Sequence, residues 1–238
     1  MAIELGANMI VDDPPTEPVG DNPGEHSVTQ LWAIDKDNGS DVEFGYGADP
    51  GLWKDVYSHL FVSYENGGQY PRPYNPKYPF WIGVAESPYV PEEIVSEPGQ
   101  LSEAFFAVER YGNGKGGYNW WFYINGYWIG YMTEANWNLG FPISDTEIQV
   151  GGEVASTTTS EPCIWMGTGS VGTEGNSANV NKAAYIWTAN NGNEEGTEWL
   201  YPTRYLAQGY PIYSYGLTEP GTGTMHYGGK GWSNSDCP

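Results

Sequence analysis

Asn125-Gly126 lies between two aromatic runs, Trp120-Trp121-Phe122-Tyr123-Ile124 and Tyr127-Trp128-Ile129-Gly130-Tyr131. Asn-Gly between alternating apolar flanks is the strongest short-range mark of a two-residue β-hairpin, because both residues accept the positive φ that such a turn demands. A two-residue turn pairs Ile124 with Tyr127, Phe122 with Ile129 and Trp120 with Tyr131. The other face then sets Tyr123 opposite Trp128 and Trp121 opposite Gly130. One face is expected to be core, the other an aromatic shelf with a glycine gap. Little elsewhere favours helices. The 238 residues include Gly 33 and Pro 18, the two poorest helix formers. Tyr 19, Trp 11 and Phe 7 favour strands and bring large apolar surfaces.

Further strand signals fall at 26–34, 41–47, 60–64, a short stretch at 80–84, 104–111, 147–154, 164–167 and 183–188. Asp37-Asn38-Gly39-Ser40 and Asn66-Gly67-Gly68 mark turns between them. The nearest approach to a helical period is 101–110. Residues 1–25 are polar and proline-rich and read as an extended N-terminal arm. Residues 69–100 read as a long surface excursion, and the C-terminal third is rich in Gly, Pro and Tyr. Many short strands punctuated by turns predict an all-β fold. The expectation is a single domain over 26–238, an antiparallel β-sandwich of two stacked sheets with a cleft across one of them.

Charge narrows the partners. Thirty acidic side chains against 9 basic ones give a formal net charge of −21. A polyanion repels phosphate backbones and anionic lipid surfaces, so neither nucleic acid nor membrane is an expected partner. With a sequence pI near 4.1, self-repulsion fades in mild acid, which fits an acidic working environment. No run of 18 apolar residues predicts a membrane span. No leader is visible at Met1, and the chain reads as a form from which any leader has been removed. Cys163 and Cys237 are expected to form one disulfide tying the tail to the body in an extracellular setting, or else to be free thiols.

Two glutamates stand out. Val42-Glu43-Phe44-Gly45-Tyr46 and Val150-Gly151-Gly152-Glu153-Val154 each set one carboxylate among apolar residues and glycines. Period-2 alternation places Glu43 with Gly45 and Glu153 with Gly151, leaving an open floor for a ligand backbone. On spacing alone, two solvent-facing glutamates are the plainer reading.

The order of several segments resembles the neprosin family. These are Val28-Thr29-Gln30-Leu31-Trp32; Val42-Glu43-Phe44-Gly45-Tyr46 with Pro50, Leu52 and Trp53; and Leu60-Phe61. They continue with Asn119-Trp120-Trp121-Phe122-Tyr123-Ile124-Asn125-Gly126, Ile129-Gly130-Tyr131, Gly151-Gly152-Glu153-Val154, Met166-Gly167-Thr168-Gly169 and Lys182-Ala183-Ala184-Tyr185. The resemblance spans roughly residues 26 to 188. It implies a secreted glutamic endopeptidase on a β-sandwich, active in acid and cutting preferentially after proline. It implies catalytic roles for Glu43 and Glu153. Two departures touch the subsites: a cysteine pair usual after Gly68 in plant members is absent, and Tyr46 stands where a tryptophan is usual.

Peptide hydrolysis needs a base to take a proton from water and an acid to polarise the carbonyl and protonate nitrogen. Neighbouring carboxyls with values pushed apart fill both roles and give a bell-shaped pH dependence. No metal or organic cofactor is required in this reading. Trp32, Tyr46, Trp121, Tyr123 and Trp128 are candidate walls for a proline ring, each with core packing as its plainer reading. Gln30 is a candidate oxyanion donor or a solvent-facing strand residue. The expected partners are proline-containing peptides or proteins, and the expected state is a monomer.

Other motifs fail. Gly167-Thr168-Gly169-Ser170-Val171-Gly172 matches G-x-G-x-x-G without a βαβ setting, and Ser170 lacks the glycine of a nucleophile elbow. The run from Asp35 to Asp41 misplaces its glycine for a calcium loop. His26, His59 and His226 show no metal-ligand spacing. Two rivals remain: a carbohydrate-binding module stacking sugars on its aromatics, and a two-carboxylate glycoside hydrolase.

Overall fold

Alternation of apolar and polar residues is carried almost without interruption into strands in the computed structural model. The structure describes residues 3–11, 26–37, 39–65, 81–95, 102–115, 117–134, 146–155, 166–167, 178–188, 195–199, 214–219 and 224–229. The strands, in chain order, are β1 (Ile3–Val11), β2 (His26–Asp35), β3 (Asp41–Ala48), β4 (His59–Glu65), β5 (Trp81–Gly83), β6 (Ser102–Gly112) and β7 (Tyr118–Ile124). They continue with β8 (Tyr127–Thr133), β9 (Thr146–Ala155), β10 (Ala178–Thr188), β11 (Glu195–Trp199), β12 (Ser214–Glu219) and β13 (Thr224–Gly228). One short helix, α1 (Pro50–Trp53), follows β3.

All pairings described are antiparallel. They form two sheets. The large one runs β12-β13-β10-β1-β6-β7-β8-β5, with β11 added beside β10; the small one runs β4-β3-β2-β9. The sheets stack as the sandwich expected, with β1 and β6 lying against β2 and β3. Phe44 of the small sheet packs edge-on to Phe106 and Phe122 of the large one, at centroid distances of 5.2 and 5.4 Å. Leu5, Leu31, Leu60, Trp120 and Tyr227 close the same core. Burying a side chain such as Phe44 stabilises by about 1.5–3 kcal/mol, and each edge-to-face pair adds about 0.5–1.5 kcal/mol.

Residues 3–11 do not belong to an arm. β1 pairs β10 on one side and β6 on the other, and Leu5, Ala7 and Met9 point into the core. The proline-rich run from Asp12 onward dominates the local composition and hides the alternation before it; residues 12–25 lie outside the described residues. Strand formation also wins over 102–110 of the nearest helical rival, 101–110. Of the expected strand at 164–167, the described part is Met166-Gly167, where Met166 makes an isolated bridge to Gly229. The C-terminal third contributes β11, β12 and β13, which the sequence did not single out.

The Asn-Gly turn forms, with φ of 47° at Asn125 and 96° at Gly126. Its register differs by a bulge. Tyr123 faces Trp128, but Phe122 faces Gly130 and Trp121 faces Tyr131, so Ile129 is the extra residue. A bulge leaves one residue unpaired and turns two neighbours to one face. Gly130 therefore looks into the core, where a Cβ would strike the Trp81 ring. The expected glycine gap in the aromatic row is closed by Tyr131.

Candidate active site

β2 is the spine of the small sheet. Its even-numbered residues, His26, Val28, Gln30 and Trp32, share the face turned away from the core, while Leu31 and Ala33 face inward. Register extends that outer face across the sheet. Ser63, Glu43, Trp32 and Gln149 form one row; Phe61, Gly45, Gln30 and Gly151 the next; His59, Gly47, Val28 and Glu153 the third. Glu43 and Glu153 thus lie on one face, on the two strands that flank β2, with Gln30 in the row between them. Each is one diagonal step from Gln30, about 7–8 Å between α-carbons. The two glutamates thus stand two rows apart, on strands separated by β2.

The two carboxyls differ in environment. Glu43 is 2% exposed, whereas the Glu153 side chain is 29% exposed. Gln30, with no exposure at all, donates from Nε2 to Glu153 Oε2 at 3.2 Å. Its Oε1 is buried with no hydrogen-bond partner among the described residues. His26, buried at 5% exposure, sits with Nε2 at 3.2 Å from the other oxygen, Glu153 Oε1.

Asp49 closes this end of the sheet. It directly follows β3 and caps α1, accepting from the Leu52 N–H at 2.9 Å. Burial pushes its carboxyl above the ordinary value of 3.8, and the Leu52 cap bond and the nearby His26 pull it back. Trp53 of α1 packs on Val28 and Phe61 and stacks on His59 at 4.6 Å. Among the described residues, no three His, Cys, Asp or Glu side chains are grouped as ligands of one metal ion.

The glycines have local reasons. A Cβ on Gly45 or Gly47 would run into the β2 backbone, at the Thr29 and Ser27 carbonyl oxygens. These positions are demanded by the approach of β2, not by space for a ligand. Gly152 faces the core, where a Cβ would enter the Tyr227 ring; that ring's hydroxyl meets Thr29 Oγ1 at 2.5 Å, beneath Gln30. The Gly-Gly-Glu run thus lets β9 lie close over Tyr227 and fixes Glu153 on the outer face.

The neprosin family model matches residues 23–230, a span that holds both glutamates and every strand from β2 to β13. This chain belongs to the neprosin family. The membership points to a peptidase as its functional class. A search of curated proteins returns no match.

Within this family member, the candidate aromatic walls separate. Trp32 shares its row with Glu43 and Gln149 and is partly exposed. Tyr46 does not line the site: it is 1% exposed, faces the core with Val42 and Phe44, and packs against Phe106 at 6.0 Å. Its parity with those two residues was the signal. Trp121, Tyr123 and Trp128 do not line it either. They lie on β7 and β8, on the outer face of the large sheet, with the whole core between them and the glutamates. There Trp128 meets Trp121 and Tyr123 nearly edge-on, at 75° and 71°, which gives no single flat shelf. Cys163 and Cys237 lie outside the described residues. His26 and Asp49 are the residues that sequence reasoning missed. His26 shares the parity of Gln30, and Asp49 precedes Pro50 as a helix cap would.

Proposed function

We propose that this chain is a secreted glutamic endopeptidase that cuts polypeptides after proline at acidic pH, with Glu43 and Glu153 as its acid and base. The observation that carries the reading is the placement of both carboxyls on one outer face of the small sheet, either side of Gln30. Glu153 is the base. His26 and Gln30 meet its oxygens, hydrogen bonding favours the ionised form, and its exposure gives water access. Glu43 is the acid, because burial disfavours a charged carboxylate and its side chain is closed off from bulk water.

Water bonds through oxygen to the scissile carbonyl carbon while Glu153 takes one of its protons. Glu43 lends its proton to the carbonyl oxygen. In the second half, that proton returns to Glu43, the proton on Glu153 passes to the amide nitrogen, and the C–N bond breaks. Each proton-transfer role contributes about 10²- to 10⁴-fold in rate. Gln30, one diagonal step from both groups, orients Glu153 directly. The partly exposed Trp32 indole beside Glu43 supplies an apolar wall for the flat proline ring.

Digestion of a mixture of peptides with and without proline at acidic pH, read by mass spectrometry, tests the proposal. New C-termini at proline are the expected result. Cuts at scattered residues remove the proline preference, and intact peptides remove the peptidase.

A further inference from the structure

His26 begins β2 two rows beyond Gln30 on the same face. Its ring is almost wholly enclosed, with a side chain 6% exposed, and Nε2 lies 3.2 Å from Glu153 Oε1. Gln30 Nε2 lies 3.2 Å from the other oxygen of the same carboxylate. Glu153 is therefore gripped at both oxygens by side chains of one neighbouring strand. An ionised carboxylate offers about four acceptor positions, and these two side chains meet one on each oxygen. Asp49, buried at 6% exposure, lies within electrostatic reach of His26.

We propose that His26 is a positioning residue for Glu153: its imidazolium donates to Oε1 while Gln30 donates to Oε2, and together they hold the carboxylate ionised and in one orientation at acidic pH. The inference rests on the peptidase reading for its catalytic meaning, but not for the contact itself. An imidazolium suits the task because it brings a positive charge and an N–H donor to one carboxylate oxygen. Among the described residues, charged groups bear on His26 from neighbouring elements. Glu153 faces it from β9, and Asp49 from the end of β3. Lys54, just after α1, acts in turn on Asp49, and His59 of β4 is paired with Asp55 at 2.8 Å. An opposite charge within about 4–6 Å lowers a carboxyl's titration by about 1–3 units.

The experiment compares wild type with His26→Gln, which keeps a donor without the charge, and His26→Phe, which keeps neither. In kcat/KM against pH on a proline-containing peptide, the acidic limb of both variants should move up by about one unit or more. At the top of the profile His26→Gln should recover most of the wild-type kcat and His26→Phe should not, with KM little changed in either. In parallel, the protein carrying carbon-13 in its glutamate carboxyls is titrated by NMR, with Glu153→Gln assigning the signal. The Glu153 midpoint should rise in His26→Gln whether or not the protein cleaves peptides. A midpoint and an acidic limb that both match wild type overturn the proposal. A raised midpoint in a protein that cuts no peptide upholds the contact and sinks the peptidase reading instead. If His26→Phe fails to fold by circular dichroism, His26→Gln alone decides.

Discussion

Gln30, wholly buried in the middle of β2, donates its side-chain amide to Glu153 at 3.2 Å on the adjacent strand. A buried amide aimed at a partly exposed carboxylate fixes the direction in which that carboxylate meets a substrate. Gln30→Ala removes the donor without adding volume. It should lower kcat by about 10²- to 10³-fold if Gln30 also steadies charge in the transition state, with circular dichroism unchanged. Stopped-time peptide cleavage checks both numbers, and a KM-only effect would assign Gln30 to substrate binding.

The two outer faces of the sandwich should behave differently. Trp32→Ala strips the aromatic wall from the row that holds Glu43 and should raise KM for peptides with proline before the cut. Trp128→Ala and Trp121→Ala alter the far face of the large sheet and should leave kcat/KM within about twofold. Loss of activity in the second pair would mean that the substrate reaches across both faces.

β1 should be indispensable to the fold. Leu5 and Met9 are 1% and 0% exposed, and their strand is hydrogen-bonded on both sides. Leu5→Ala should destabilise by about 2–5 kcal/mol in urea unfolding. A change under about 0.5 kcal/mol, typical of surface positions, would return residues 3–11 to the status of a loose arm.

Asp49 gives a pH signature. Its folded-state carboxyl is raised above 3.8, chiefly by burial; Glu109 is likewise raised above 4.5 by burial, against the pull of Tyr111. A raised acid binds its proton more tightly in the folded state than in the unfolded one. Its stabilisation is full below the ordinary value and is lost as pH rises through the folded-state value. Asp49→Asn keeps a capping oxygen for Leu52 and removes the titration. Relative to wild type, its stability should therefore improve as pH rises from below 3.8 to neutrality. Denaturation midpoints across that range test the sign. Parallel curves for the two proteins would refute it.

Much of this was legible from period-2 alternation. The strands at 26–34, 41–47, 60–64, 104–111 and 147–154 match β2, β3, β4, β6 and β9 to within two residues at each end, because each carries a core face and a turn at its end. The same parity put Glu43, Gln30 and Glu153 off the core face. What parity does not carry is the partner of each face. It assigned Trp121, Tyr123 and Trp128 to an outer surface without saying which sheet that surface belongs to, so they were grouped with the glutamates. The Ile129 bulge was equally hidden, since it arises from Trp81 of β5 seating against Gly130, a contact between segments about fifty residues apart. Asp49 and His26 went unmarked because their meeting depends on the β2–β3 register rather than on any local motif.

The proposed function requires Glu43 and Glu153 to work as one acid and one base. The most direct test is the cleavage rate of a single proline-containing peptide at acidic pH by wild type, Glu43→Gln and Glu153→Gln, each verified as folded. Each substitution keeps size and removes only the titrating oxygen. A fall of at least about 10²-fold in kcat is expected for each variant. A wild-type rate in either one would contradict it.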